Sequence, residues 1–224
     1  MCDFYSQFIK EGDITFDVGA NHGNRTEVFL SLGAKVVAFE PQPLCAEDLA
    51  RRFSKNRNFA LVQKALGATV GKGTISQCKA DTISSMSKEW VESVKNSGRF
   101  SEYEWSSSLD IEVSTLDAEI GRFGRPSFLK IDVEGYESEV LSGLSMAIDA
   151  ISFEFVPEVQ ANTIKCIELL NRLGDYTFNY SLGESMRLEM PSSVTKDQIL
   201  EIVRGFSERG SKEFGDIYAF LKSN

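Results

Sequence analysis

The stretch Ile14-Thr15-Phe16-Asp17-Val18-Gly19-Ala20-Asn21-His22-Gly23-Asn24 decides the fold, and Val36-Val37-Ala38-Phe39-Glu40-Pro41 answers it downstream. An apolar run ends in an acid and a Gly-x-x-x-Gly turn, a helix-compatible segment follows, and a second apolar run ends in Glu40. This is how a doubly wound α/β sheet builds a nucleoside pocket across its first two strands. Gly19 and Gly23 let the backbone turn tightly and approach a ligand. Glu40 follows Gly19 by 21 positions, close to the spacing at which an acid receives two ribose hydroxyls. A carboxylate suits that task because its oxygens only accept.

The glycine pattern narrows the cofactor. Nicotinamide and flavin folds favour Gly-x-Gly-x-x-Gly, whose middle glycine makes room for a pyrophosphate at the helix start. Here Gly19-Ala20-Asn21-His22-Gly23 lacks that glycine, and Asp17 adds negative charge where a pyrophosphate would lie. The charge suits a sulfonium cation carrying an amino acid, so S-adenosylmethionine is the expected cofactor. A plain strand–turn–helix with structural glycines and a capping Asn21 is the bland alternative.

Size and composition fit this frame. The 224 residues suffice for one well-filled core and require no second domain. The net charge of −9, from 24 basic and 33 acidic residues, repels polyanions, so no nucleic-acid partner is expected. Cys2, Cys45, Cys78 and Cys166 are scattered, and His22 is the one histidine, a poor inventory for a soft-metal site. The amino-terminal residues are too polar for a signal peptide, and no apolar run has the length of a membrane span. A cytoplasmic protein without membrane partners is the expectation.

Strand–helix alternation predicts one three-layer α/β domain over 1–224. Strands are expected at Ile14–Val18, Lys35–Phe39, Phe59–Leu66, Phe128–Val133, Ile151–Val156, Tyr176–Tyr180 and Ile217–Leu221. Helices are expected near Asn24–Leu32, Ala46–Lys55, Ser138–Leu144, Thr163–Leu173 and Lys196–Phe206. Residues 68–108 form the least regular stretch, an insertion or lid with a candidate strand at Thr74-Ile75-Ser76 and a helix near Lys88–Asn96; Leu109, Ile111 and Val113 resume as strand. Within it, Trp90, Tyr103 and Trp105 are stacking surfaces for a sugar, core of a small insertion, or part of a homodimer contact. In doubly wound sheets ligands bind at the carboxyl ends of the strands. Those ends carry Asp17, Glu40, Asp132 with Glu134, and Glu154, an acidic site suited to a sulfonium or a divalent metal.

Several of these pieces together resemble the FkbM family of S-adenosylmethionine-dependent methyltransferases. They are Phe16–Gly23, Ala38-Phe39-Glu40-Pro41, Ala65-Leu66-Gly67, Thr115-Leu116-Asp117 and, most specifically, Leu129-Lys130-Ile131-Asp132-Val133-Glu134-Gly135-Tyr136-Glu137, with Glu154 beyond. The resemblance covers roughly residues 12–175 and implies a class I methyltransferase (Rossmann-like) fold. Its seven-stranded, mostly parallel sheet ends in an antiparallel strand placed between two others. It also implies methyl transfer to a hydroxyl oxygen of a small molecule, a sugar or polyketide-type natural product. Residue by residue, it puts Asp17 and Gly19 at the methionine end, Asn21 and Gly23 in the turn, and Glu40, followed by Pro41, at the ribose. Ala65 and Leu66 would flank the adenine, and Ser85, in Ser84-Ser85-Met86, would lie over the cofactor. Asp132 would orient or deprotonate the acceptor, with Glu134 or Glu154 as runner-up. No metal ligand set is assigned, since Asp132, Glu134 and Glu154 lack a recognised spacing. Other classes remain open: an NAD-dependent oxidoreductase, or a non-catalytic nucleoside-cofactor-binding protein on the same fold.

Overall fold

A computed structural model describes residues 1–78, 83–98, 100, 102–210 and 212–222. In chain order the elements begin with α1 (Cys2–Tyr5), β1 (Ile14–Val18), α2 (Asn24–Ser31), β2 (Lys35–Phe39), α3 (Pro43–Phe53) and β3 (Phe59–Val62). There follow β4 (Ala65–Leu66), β5 (Gly71–Cys78), α4 (Lys88–Ser97), β6 (Trp105–Ser114), α5 (Leu116–Phe123), β7 (Phe128–Ile131) and α6 (Glu137–Ser142). The last are β8 (Ala150–Phe155), α7 (Gln160–Leu173), β9 (Tyr176–Leu182), α8 (Lys196–Glu208) and β10 (Gly215–Leu221).

Seven strands form one sheet in the order β3-β2-β1-β7-β8-β10-β9. Neighbours pair in parallel except β10, which runs antiparallel to both β8 and β9. The chain leaves β1 toward β2 and β3 and later restarts at β7 on the other side of β1, so the order reverses between β1 and β7. Residue alternation along each strand then sorts the two faces. Phe16, Val18, Leu129, Ile131, Ile151 and Phe153 bury one face against α5 to α8. Phe128, Ala150 and Tyr218 pack on the other face with Phe4, Tyr5 and Phe29 of α1 and α2. Ala38 packs on that same side against Leu49 and Phe53 of α3. This is the three-layer Rossmann-like sandwich expected from the sequence, including the reversed last strand between two others.

Two expectations need correction. The predicted strand Phe59–Leu66 is two strands: β3 stays in the main sheet, while β4 leaves it and pairs in parallel with β6. The stretch 68–108 is more regular than its composition suggests. β5 and β6 form a long antiparallel hairpin that completes a three-stranded sheet with β4. β5 shows no clean alternation, only Ile75 and Cys78 of its side chains being buried, so its pairing with β6 makes the strand. Residues 79–82, 99 and 101 of that segment lie outside the described residues. Helix α3 also begins earlier than expected, with Pro43 in its first turn, where a missing N–H costs nothing.

Candidate active site

The carboxyl ends of β1, β2, β7 and β8 open into a cavity of about 280 Å³. Its first wall is built from backbone. Beyond β1 the N–H groups of Gly19 and Ala20 both donate to the Phe39 carbonyl, at 2.9 and 3.1 Å, and the Asp132 N–H donates to the Val18 carbonyl at 2.9 Å. Gly19 has φ +80°, and a Cβ there would collide with the Asp132 carbonyl oxygen. The glycine therefore lets the first turn lie flat against the loop after β7. Gly23, at φ +84°, caps α2 and packs against Leu49 and Phe53, where a side chain would not fit. Asn21 is held left-handed at φ 47°.

That turn seats Glu40. Its Oε2 accepts the Asn21 N–H at 2.8 Å and its Oε1 accepts the Gln42 N–H at 2.8 Å. Burial pushes the carboxyl above its usual range, and the two amide donors oppose the shift. Each oxygen keeps acceptor capacity for a further hydroxyl. Asp17 is buried beneath the turn and accepts from the Thr26 hydroxyl at 2.6 Å; burial pushes it up as well. Pro41, Ala65 and Leu66 line the same side of the cavity, with Lys64 beside them. Lys64 pairs with Glu112 at 2.8 Å.

The second wall is built from side chains. Asp132, Glu134 and Glu154 all line the cavity and can bring one oxygen each within 4.8 Å of one another. They are hard oxygen donors of the kind magnesium or calcium uses, and equally groups that can share protons. Burial, then the charges of Glu134 and Asp132, push Glu154 well above the usual carboxylate range. Beneath them lies Lys130, fully buried on β7, with Nζ 3.0 Å from Asp132 and 2.9 Å from Asp216 of β10. Burial opposes the ammonium charge, but the two carboxylates outweigh it and hold Lys130 well above its ordinary value.

The loop carrying Glu134 is clamped from below. Glu134 is left-handed at φ 54°. Buried Glu137 accepts the N–H groups of Val133 and Gly135 at 3.3 and 3.1 Å, and the Asn162 amide at 2.5 Å. Its burial raises it to about 7. Trp90, fully buried, packs against Gly135, whose φ of +83° and lack of Cβ allow the approach. Of the three readings open for Trp90, this one is core. Trp105 stands edge-on to it, and Tyr103 is exposed.

Ser85 is a sequence-predicted site residue that does not line the cavity; its neighbours Ser84 and Met86 line it instead. The Ser85 hydroxyl donates to the Glu134 carbonyl at 2.6 Å and so braces the second wall from behind. All the other predicted residues except Gly23, which shapes the turn, face the cavity. Sequence reasoning missed Lys130, Glu137, Arg25 and Glu184. A lysine inside an otherwise apolar strand was the available signal for the first. Arg25 and Glu184 stand 159 positions apart and meet only in the fold, at 2.6 Å.

Comparisons agree with this geometry. The model of the methyltransferase FkbM domain matches residues 17–224. The hexuronic acid methyltransferase AglP of Haloferax volcanii is 30% identical over 152 residues, 66% of this chain and 56% of that protein. A chloroplastic ribosomal RNA small subunit methyltransferase of Arabidopsis thaliana is 34% identical over 56 residues, 25% of this chain and 16% of that protein. The chain thus spans about half, or less, of the curated relatives it matches. The precorrin-6y C5,15-methyltransferase of Geobacter metallireducens superposes with a TM-score of 0.51 at 12% identity, covering 97% of this chain and 86% of that one, a likeness of fold. No helix among the described residues is long and apolar enough to cross a membrane. Together, the family match over nearly the whole chain and a nucleoside-ready turn facing an acidic cavity identify this chain as a member of the FkbM family of S-adenosylmethionine-dependent methyltransferases.

Proposed function

We propose that this domain transfers a methyl group from S-adenosylmethionine to a hydroxyl oxygen of a small molecule, a sugar in the first instance. The observation that carries the reading is the convergence of Asp132, Glu134 and Glu154 at the edge of the cavity that Glu40 closes at its other end. The sugar class draws on the archaeal relative, whose name specifies a hexuronic acid. The net charge of −9 also favours a small acceptor over a polyanion.

The cofactor supplies an electrophilic methyl carbon on a positively charged sulfur. The residues of the chain do the rest. Glu40 accepts the ribose hydroxyls, and Asp17 adds negative charge at the sulfonium end. A hydroxyl is a weak nucleophile and gains from a base within hydrogen-bond reach. Asp132 takes that role because the Lys130 ammonium, 3.0 Å away, fixes its carboxylate in place. Burial and the charges of Glu134 and Asp132 push Glu154 toward its neutral form, which eases the repulsion within the trio. Holding oxygen, carbon and sulfur in line supplies much of the remaining rate.

Two measurements in sequence test the reading. Calorimetry with S-adenosylmethionine, S-adenosylhomocysteine and NAD is expected to show binding of the first two alone. Labelled methyl transfer to a panel of neutral hexoses, hexuronic acids and polyketide-type alcohols, with NMR of the product, then locates the methyl group. A methyl group on nitrogen or carbon, or transfer to none of the panel by a protein that binds the cofactor, overturns the assignment to hydroxyl oxygen.

A further inference from the structure

The cavity is acidic, yet the cofactor it is read as holding has one anionic group. Asp17, Glu40, Asp132, Glu134 and Glu154 suit the sulfonium and the ammonium of the amino-acid end and would repel its carboxylate. Arg25 answers that mismatch. It is the second residue of α2, one turn beyond Gly19-Ala20-Asn21, and lines the cavity. Its side chain is only 15% exposed, and its Nε is buried without a hydrogen-bond partner. The Nη2 group donates to both oxygens of Glu184, at 2.9 and 2.6 Å, while Nη1 faces the Met1 sulfur at 3.5 Å.

The two partners of this bridge are unequal. Glu184 is 65% exposed and stands on the loop after β9, free to return to water. A bridge with so exposed a partner contributes little. Arg25 is packed in place, and a planar guanidinium matches a carboxylate with two parallel hydrogen bonds. Here one nitrogen makes both contacts to Glu184, so the fork is only half used.

We propose that Arg25 is the receptor for a ligand carboxylate in this cavity, and that Glu184 holds that place until the ligand arrives. The proposal rests on reading the cavity as the cofactor site. Two sources carry the chemistry: the α-carboxylate of the cofactor, or the carboxylate of an acidic sugar acceptor. Lys64 is the other fully charged cation among the described lining residues; it sits beside Ala65 at the adenine end and is paired with Glu112.

Calorimetry separates the possibilities. The probes are S-adenosylhomocysteine and its decarboxylated analogue S-adenosyl-3-thiopropylamine, which keeps the ammonium and loses only the carboxylate. Arg25→Gln is expected to weaken the first by about tenfold or more, the scale of a lost hydrogen bond to a charged group, and to leave the second within about twofold. Unchanged binding of the analogue shows that the cavity is intact. Equal binding of S-adenosylhomocysteine by both proteins, with glucuronate but not glucose weakened in the variant, assigns the carboxylate to the acceptor. If Arg25→Gln alters neither ratio, the proposal is overturned. Failure of the wild type to bind either nucleoside would instead defeat the cofactor reading. Should Arg25→Gln not fold, Glu184→Gln decides. Removing the stand-in is expected to tighten S-adenosylhomocysteine a few-fold and not the analogue, and likewise to tighten glucuronate and not glucose if the acceptor is the source. Weakened or unchanged binding of both acids overturns the proposal.

Discussion

The two walls of the cavity are made by different means. On the side of β1, β2 and β3, backbone does most of the work: Gly19 allows a close approach, Ala20 and Asn21 shape the turn, and amide N–H groups fix Glu40. On the side of β7 and β8, side chains do it: Asp132, Glu134 and Glu154 converge over buried Lys130, and Glu137, Ser85 and Trp90 hold the loop from below. The first wall recruits residues within a few positions of two strand ends. The second recruits from the segment before α4 and from α4, α7 and β10. A turn defined by glycines has little room to vary, whereas a cluster of acids over a buried ammonium can be tuned by any of its neighbours.

The place where the walls touch gives the largest expected effect. Gly19→Ala adds a Cβ where the Asp132 carbonyl oxygen stands and forces alanine into φ +80°. The left-handed backbone costs about 1–2 kcal/mol and overpacking typically about 1–3. A loss on the order of 4 kcal/mol follows, seen as a fall in Tm of roughly 10 °C for a chain of this size. A variant of wild-type stability would show that the two walls are not locked together there.

Second comes a pH dependence carried by Glu137 under the second wall. Burial raises Glu137 from 4.5 to about 7 in the folded chain. Its folded value therefore exceeds its unfolded one, and the folded state binds the extra proton between those limits. Its contribution to stability is fully present below about pH 4.5 and is lost as pH rises through 7. Urea unfolding of wild type and Glu137→Gln between pH 5 and 8 isolates it, since the other acids titrate in both. The wild type is expected to lose up to roughly 3 kcal/mol relative to the variant across that window. Parallel profiles would mean that Glu137 ionises freely where it lies.

Third, Asp132→Asn tests the division of labour. The amide keeps the shape but cannot take a proton. Turnover is expected to fall about a hundredfold, the scale of a lost general base, with S-adenosylhomocysteine affinity held within a few-fold. Unchanged turnover on the methylated substrate would move the base to Glu134 or Glu154, and a collapse of cofactor affinity would make Asp132 part of the first wall.

The same division explains what the sequence disclosed. Gly19, Gly23 and Glu40 could be read at their spacing because a tight turn and a strand end are local events. Asp132, Glu134 and Glu154 could be read as strand ends because each follows an apolar run, though their mutual approach depends on β7 and β8 lying side by side. Arg25 meeting Glu184, and Lys130 meeting Asp216, are products of topology that no local pattern carries. Ser85 shows the intermediate case: the segment was found, but its hydroxyl faces the Glu134 carbonyl instead of the cavity. Of the β5–β6 hairpin, Leu109, Ile111 and Val113 and the short run Thr74-Ile75-Ser76 could be read as strand, whereas the full length of β5 could not, because it lacks alternation and is made by its partner.

Glu40→Gln gives the smallest of these effects and bears on the first wall alone. Both Glu40 oxygens already accept backbone N–H groups, from Asn21 and Gln42. A glutamine must turn its own NH₂ toward one of these donors, so it loses an internal hydrogen bond as well as an acceptor for the ribose. Burial has also pushed the carboxyl up, so part of the charge-assisted gain is already spent in the wild type. The net loss in S-adenosylhomocysteine affinity is therefore expected near tenfold, at the lower end of what a hydrogen bond to a charged group contributes. The Michaelis constant for the acceptor should stay within about twofold, since the hydrogen bonds of the Glu40 carboxylate among the described residues run to Asn21 and Gln42 on the first wall. A drop in turnover comparable to that of Asp132→Asn would show that the walls communicate, with Gly19 as the point of contact between the turn Glu40 holds and the loop that carries Asp132.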